Sequence, residues 1–359
     1  MQTQQGKVSS HPQAHLDELV AEWLLRTFAA DQIPEGTRLG EGGGEFDEHM
    51  KGGGRIKGEC SATRVARHLN LDTDHQLAAL LGFTLRTDEG PPEYIFDLAA
   101  VVMKFRRVHP DQTNKEKYEW VKVALDAYMA VVRNCQSEAD VKMVLAEARH
   151  YPGLNFHSIL HSKGVHRRSG GFMAGKLYDM ADKASPSSWI HPWDITAVAR
   201  MIASVYGDKV AVDWFDLPVA TARIEDEEYR LAGIIFGRDF YQVEVGGGII
   251  AWGKTNNPQV GKAGRSRGAR IVIQQTETDN IMIFTNDQAV SEELMDAIVV
   301  AVKANETDNS EEVWYYLKGK QRMLLNGSDS RPDVPPTKQS LRDVADTVIA
   351  TVREWCKRR

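Results

Sequence analysis

The chain reads as an α/β protein in two parts: a helix-rich N-terminal α/β domain over residues 1–185 and a smaller, sheet-rich α+β domain over residues 186–359. Three observations predict this. Apolar residues recur at helical spacing in the N-terminal part, as in Leu16, Leu19, Val20, Trp23, Leu24 and Phe28. After residue 207 the pattern changes to period two with β-branched residues. Between them runs a stretch rich in histidine and cations, which ends in the turn-forming Ser185-Pro186-Ser187-Ser188.

Taken in order, a helix is predicted from Leu16 to Phe28, with Asp17 and Glu18 suited to its first turn. The glycine-rich segment Gly40–Gly54 is too flexible for regular structure along its length. Ser61 introduces a short helix, Ala62–Leu69, and Asp74 caps another, His75–Leu81. A break at Thr87–Pro92 precedes an apolar helix, Ile95–Phe105. Helices are then expected at about Lys115–Arg133, from the Ser137 cap to about Ala148, and from Asp194 to about Tyr206. The expected strands are Val210–Trp214, Val219–Ile224, Leu231–Phe236, Phe240–Val245, Ile249–Trp252, Ala269–Gln274 and Ile281–Thr285. Ser291 caps a helix to about Ala304, and Leu341–Trp355 forms the last one.

With 359 residues the chain can bury a sizeable core in two domains. Its formal net charge of −6 gives no global positive field to hold nucleic acid non-specifically. Apolar runs such as Ile95–Met103 are too short to span a bilayer, and the polar N-terminus lacks a signal-peptide core. Cys60, Cys135 and Cys356 are scattered without metal or disulfide spacing. These features predict a protein of the reducing cytoplasm with no membrane partner.

The densest set of metal-ligand side chains lies near the start. Ser10-His11-Pro12-Gln13-Ala14-His15-Leu16-Asp17-Glu18 opens the first helix, and a helix N-terminus is a favourable place for anions. It is answered by Glu41-Gly42-Gly43-Gly44-Glu45-Phe46-Asp47-Glu48-His49. Carboxylates mixed with imidazoles, without thiolates, suit Mn2+ first, with Mg2+, Zn2+ and Fe2+ as alternatives. Such a set can hold two ions about 3.5–4 Å apart that activate water and clamp a phosphoryl group. The bland alternative is a helix mouth with capping acids and solvated histidines.

In their order these residues resemble the DHH phosphoesterase superfamily, whose members include RecJ-like exonucleases, nano-RNases and manganese-dependent inorganic pyrophosphatases. The resemblance points to its metal-dependent protein hydrolase-like branch, which is similar to the melanocyte-proliferating-gene exonuclease. His11-x3-His15-x-Asp17 parallels the family's first motif, His-x3-Asp-x-Asp, with one exchange. Gly40-Glu41-Gly42-Gly43 ahead of Phe46-Asp47-Glu48-His49 parallels Val-Asp-Val-Gly-Gly ahead of Phe-Asp-His-His. Glu59–Ala66, and Leu85-Arg86-Thr87-Asp88 before Phe96-Asp97-Leu98-Ala99-Ala100, also look similar. The likeness covers roughly the first 110 residues.

The resemblance implies a parallel-sheet catalytic domain and a residue-by-residue set of roles. His11 and His15 would hold one metal and Asp17 a second, with Glu41 bridging them. Asp47, within the second motif, is a further candidate metal ligand. Glu48 stands at a ligand position for the second metal, His49 would contact the substrate phosphate, and both are the expected catalytic residues. Asp88 is the expected last carboxylate ligand, with Asp97 as runner-up unless it is only a surface-facing helix residue. The exchanges at positions 15, 41 and 48 each leave a residue type that can ligate, which favours a retuned metal site over a decayed one.

In the C-terminal part, Gly261-Lys262-Ala263-Gly264-Arg265-Ser266-Arg267-Gly268 reads either as a phosphate clamp or as a solvated hairpin loop. The resemblance favours the clamp, with Lys262, Arg265, Ser266 and Arg267 as substrate contacts. His157, His161, Lys163, His166, Arg167 and Arg168 read as a solvated linker before an anion-contacting strip. Tyr241, Trp252 and Trp314 suit a core better than base stacking, and Cys60 suits a core better than a nucleophile.

The expected function is a metal-dependent phosphoesterase or nuclease. It would cleave a phosphodiester or phosphoanhydride in a small nucleotide or short single-stranded oligonucleotide by two-metal activation of water. A homodimer is compatible with this reading. The alternatives are a non-catalytic nucleotide sensor or partner-binding protein on the same fold and, ranked lower, a zinc-dependent amide hydrolase.

Overall fold

The computed structural model describes residues 8–10, 13–33, 35–40, 44–48, 56–90, 95–167, 171–183, 193–307, 313–318, 322–326 and 334–358. His11, Glu41 and His49 fall outside these residues. The chain is mixed α/β and divides into two compact units, Met1–Ile224 and Glu225–Arg359. The division falls later than the expected 185/186 boundary, because the stretch up to residue 222 folds as helices whose apolar sides complete the first core.

In the first unit, strand β1 (Ser9–Ser10) pairs in parallel with β2 (Arg38–Leu39). Among the described residues of this unit, this pair and an isolated parallel bridge between Leu39 and Phe46 stand where the resemblance implied a parallel sheet. Helices build the rest: α1 Leu16–Phe28, α2 Ser61–His68, α3 Ala78–Glu89, α4 Leu98–Met103, α5 Phe105–Val108, α6 Asn114–Val132, α7 Glu138–Ala148, α8 Phe156–Ser162, α9 Phe172–Lys183, α10 Ile195–Tyr206, α11 Asp208–Trp214 and the first turns of α12 (Asp216–Asp239), whose remainder belongs to the second unit. Asp97 and Asp194 face each other in an isolated antiparallel bridge, and each accepts N–H bonds as the N-cap of its helix, α4 and α10 respectively.

Two expectations are corrected. The segments read as strands at Val210–Trp214, Val219–Ile224 and Leu231–Phe236 are helical. Val210 and Val212 alternate like a strand, but Val210 is exposed, and buried residues such as Ala211, Trp214, Phe215, Pro218, Ala222, Glu225, Ala232 and Phe236 recur at helical spacing. Pro218 sits in the first turn of α12, where a missing N–H breaks no helical bond. Trp214 stacks on Trp120 of α6 at 4.5 Å between ring centroids, and each indole N–H donates to the other's backbone carbonyl.

The second correction is the histidine-rich stretch, which is not a linker. It folds as α8 and α9, with Phe156, Ile159, Leu160, Met173, Leu177 and Tyr178 buried. His157 bonds Asp182 at 2.7 Å and Arg167 pairs with the same carboxylate at 3.0 Å, so these polar residues tie the two helices together.

The second unit carries a six-stranded sheet ordered β3-β4-β5-β6-β8-β7. Its strands are β3 Tyr241–Val245, β4 Gly248–Lys254, β5 Ala269–Gln275, β6 Ile281–Thr285, β7 Tyr315–Leu317 and β8 Met323–Leu325. Only β4 and β5 run parallel, joined through helix α13 (Val260–Ser266). Alternate residues of these central strands enter separate cores, as a period of two dictates. Ile250, Trp252, Ile271 and Ile273 meet helices α14 (Glu292–Ala304) and α15 (Leu341–Lys357), whereas Ala251 and Val272 meet α13 and the end of α12.

Candidate metal centre

The β1–α1 junction, the segment after β2 and the end of α3 supply the acidic residues singled out above, and the start of α2 supplies Ser61. His15 is the N-cap of α1, Asp17 lies in its first turn, and Asp88 lies in the last turn of α3. One ligand atom from each of His15, Asp17 and Asp88 lies within 4.8 Å of the others. The imidazole is exposed while Asp17 is buried, so the trio has an open side and a closed one.

More carboxylates gather here than a helix start requires. Asp17, Glu18, Asp47 and Glu48 are each at most 5% exposed. Ser61, the first residue of α2, stands between two of them: its N–H donates to Asp17 Oδ2 at 3.3 Å and its hydroxyl to Glu48 Oε2 at 3.4 Å. This places Glu48 one residue away from the trio. Burial, reinforced by the negative charge of Asp17, pushes the Cys60 thiol up to about 12. Cys60 is therefore a protonated core residue at neutral pH, not a nucleophile.

Glu18 closes the back of the junction, accepting the His15 backbone N–H at 2.6 Å. Gly40, just after β2, makes room for it. Its φ is +65°, and a Cβ there would lie 2.5 Å from Glu18 Oε1. Gly40→Ala is expected to cost about 1–2 kcal/mol in backbone strain alone, and more because Glu18 must move. In a Glu18→Ala background the cost should shrink to the backbone part, read by urea unfolding of the single and double variants. Equal costs in both backgrounds would refute the contact.

Lys117 was not anticipated. It is 3% exposed and reaches from α6 to donate to the Ala14 carbonyl at 2.9 Å, immediately before His15. It occupies the same stripe as Tyr118, Val121, Ala124, Leu125 and Tyr128, so a lysine on an apolar helical face was the readable signal. Burial first, then repulsion from Arg106, lowers its pKa from 10.5 to about 8, and Glu18 partly opposes this. Below pH 8 both folded and unfolded chains hold the proton, and the folded state carries the cost of a buried ammonium. Between about 8 and 10.5 the unfolded chain binds more protons, so this group adds stability as pH rises. The stability of the wild type relative to Lys117→Met should therefore climb across that window in urea unfolding; parallel profiles would refute it.

The remaining candidates lie elsewhere. Asp97 is fully buried and its Oδ1 accepts the Ala100 N–H at 2.7 Å, so it is a helix cap and not a surface-facing residue. In the second unit, Lys262, Arg265 and Ser266 lie on helix α13 and Arg267 at its C-cap, not in an open loop. Gly261 and Gly264 let that helix lie flush: a Cβ would meet Phe284 at 2.7 Å or Phe236 at 2.6 Å. Arg265 is half-buried, donates to the Thr285 carbonyl at 3.2 Å and covers the Phe284 ring. Arg267 donates to the Gly233 carbonyl, Ser266 bonds the Tyr229 hydroxyl at 2.7 Å, and Lys262 lies over the Tyr229 ring. These side chains hold α12, α13 and β6 together.

No family model, curated protein or solved structure matches the chain.

The donor set suits a hard or borderline divalent ion. It combines one imidazole and two carboxylates within one ion's reach, with Glu48 joined through Ser61 and no thiolate among the three.

Proposed function

We propose that the chain is a metal-dependent phosphoesterase whose centre is built on His15, Asp17 and Asp88. The observation that carries this reading is the convergence of those three residues, drawn from two distant parts of the chain. A divalent ion held by them, Mn2+ first and Mg2+, Zn2+ or Fe2+ as alternatives, supplies Lewis-acid activation of water and charge neutralisation at a phosphoryl group. Glu48 is placed to add a further carboxylate, with Ser61 holding both it and Asp17 in position. Lys117 and Glu18 keep the entry to α1 in the geometry that presents His15 and Asp17 together. The substrate class is a phosphodiester or phosphoanhydride of a small nucleotide or short oligonucleotide.

A second reading is a nucleotide-sensing or partner-binding protein on the same fold. It is favoured by one observation: the cations expected to meet substrate phosphate, Arg265 and Arg267, bond backbone carbonyls of their own unit. Metal analysis of the purified protein, followed by Mn2+-dependent product release from a dinucleotide, a cyclic dinucleotide and pyrophosphate, separates the two. Bound metal with turnover supports the phosphoesterase. Bound metal and bound nucleotide without turnover support the sensor, and a protein that binds no divalent ion refutes the centre itself.

A further inference from the structure

Strand β3 (Tyr241–Val245) is an outer strand of the six-stranded sheet, and among the described residues β4 is its sole neighbour. Gly246 and Gly247, at φ of +58° and +76°, close the β3–β4 hairpin through a two-residue turn with both φ positive. In such a hairpin the closing residues, Val245 and Gly248, exchange both backbone bonds, and bonded pairs then alternate along the strands. Tyr241, Val243 and Val245 therefore turn their N–H and C=O groups toward β4, whereas Gln242 and Glu244 turn theirs toward the open edge. The side chains follow the same period. Tyr241, Val243 and Val245 share the face that carries Trp252 and the core against α15, and Gln242 and Glu244 point to the other face.

Sheets blunt an open edge with a proline, a lysine or a bulge, and β3 has none of these. Tyr241, expected in a core, is instead 70% exposed, stacked on Trp252 at 5.7 Å between ring centroids. The strand also reads the same in both directions: apolar, polar, apolar, polar, apolar. An antiparallel second copy centred on Val243 sets Gln242 opposite Glu244 of the partner subunit, and Tyr241 opposite Val245 of the partner subunit. The outward backbone groups of Gln242 and Glu244 are then all used, amides face carboxylates, and the apolar face runs on from one copy to the next. Centring on Glu244 would set like charges opposite each other, and centring on Gln242 would leave Glu244 with no strand residue opposite it. We infer that β3 is the surface through which two copies of this chain pair, edge to edge and antiparallel about Val243. The surface lies wholly in the second unit and shares no residue with the proposed metal centre.

Sedimentation of the full-length protein from about 1 µM to about 1 mM reads the association. One strand pair is at the small end of interfaces, so dimer is expected in the upper part of that range. Glu244→Pro removes an outward N–H while leaving the bonds to β4 in place, and should abolish the dimer. Gln242→Lys sets a cation opposite each Glu244 and should tighten pairing about twofold or more at low salt; Gln242→Glu sets like charges opposite and should weaken it by about as much. Circular dichroism of each variant at low concentration separates loss of pairing from loss of fold. If Glu244→Pro fails to fold, the opposite shifts of the two Gln242 variants carry the test. The inference is overturned by a protein that stays monomeric throughout the range, by a dimer that a folded Glu244→Pro leaves intact, or by Gln242→Lys and Gln242→Glu variants that do not shift it in opposite directions.

Discussion

Asp17→Ala is expected to lower divalent-metal affinity by about 100-fold or more, because residues that merely orient a ligand already account for about 10- to 100-fold in metal sites. Asp17 is the member of the trio that also anchors α2, through the Ser61 N–H at 3.3 Å. Losing it removes one ligand and releases Ser61, which positions Glu48. The measurement is the metal-induced stabilisation of the wild type and the variant. A ligand at 100 times its dissociation constant stabilises by about 2.7 kcal/mol, and that increment should fall to about 0.4 kcal/mol or less in Asp17→Ala under the same conditions. Undiminished metal stabilisation in Asp17→Ala would rule out the His15–Asp17–Asp88 centre. Any hydrolysis of phosphoesters by the wild type should fall with the metal.

The legibility of this centre in the sequence was uneven for physical reasons. His15 and Asp17 could be selected because residue type limits which side chains can ligate, and that property is local; Asp88 was singled out only through the family resemblance. What brings Asp88 to them is the packing of α3 beside α1, which no local pattern encodes. Lys117 and Ser61 were missed for a related reason: a lysine in an amphipathic helix and a serine at a helix start each have a common bland role, and only the fold reveals that they touch Ala14, Asp17 and Glu48. At the fold level, long amphipathic segments such as Leu16–Phe28 emerged as expected. The error at residues 210–236 came from weighting two or three β-branched residues above the wider spacing of Ala211, Trp214, Phe215 and Ala222. The Lys262–Arg267 stretch misled through its glycines, which serve close helix–sheet packing instead of an open anion loop.

Trp193→Ala should produce the largest loss of stability, about 3–5 kcal/mol, as expected for a fully buried tryptophan. Trp193 is 1% exposed and stacks on Phe83 of α3 at 5.3 Å and against Tyr128 of α6 at 5.0 Å. Its backbone carbonyl accepts the Leu98 N–H at 2.9 Å, so it also sits in the bridge that starts α4 and α10. Phe83 and Asp88 share one helix. Removing the ring therefore takes away a support of the element that delivers Asp88 to the centre, and metal affinity should fall along with stability. Trp193→Phe retains an aromatic face for Phe83 and should recover most of both losses. Denaturant unfolding reads the first effect through a lower midpoint at unchanged slope, and metal titration of the folded protein reads the second. If Trp193→Ala lost stability but bound metal like the wild type, α3 would be held in place from elsewhere, and the coupling between this stack and the centre would be refuted.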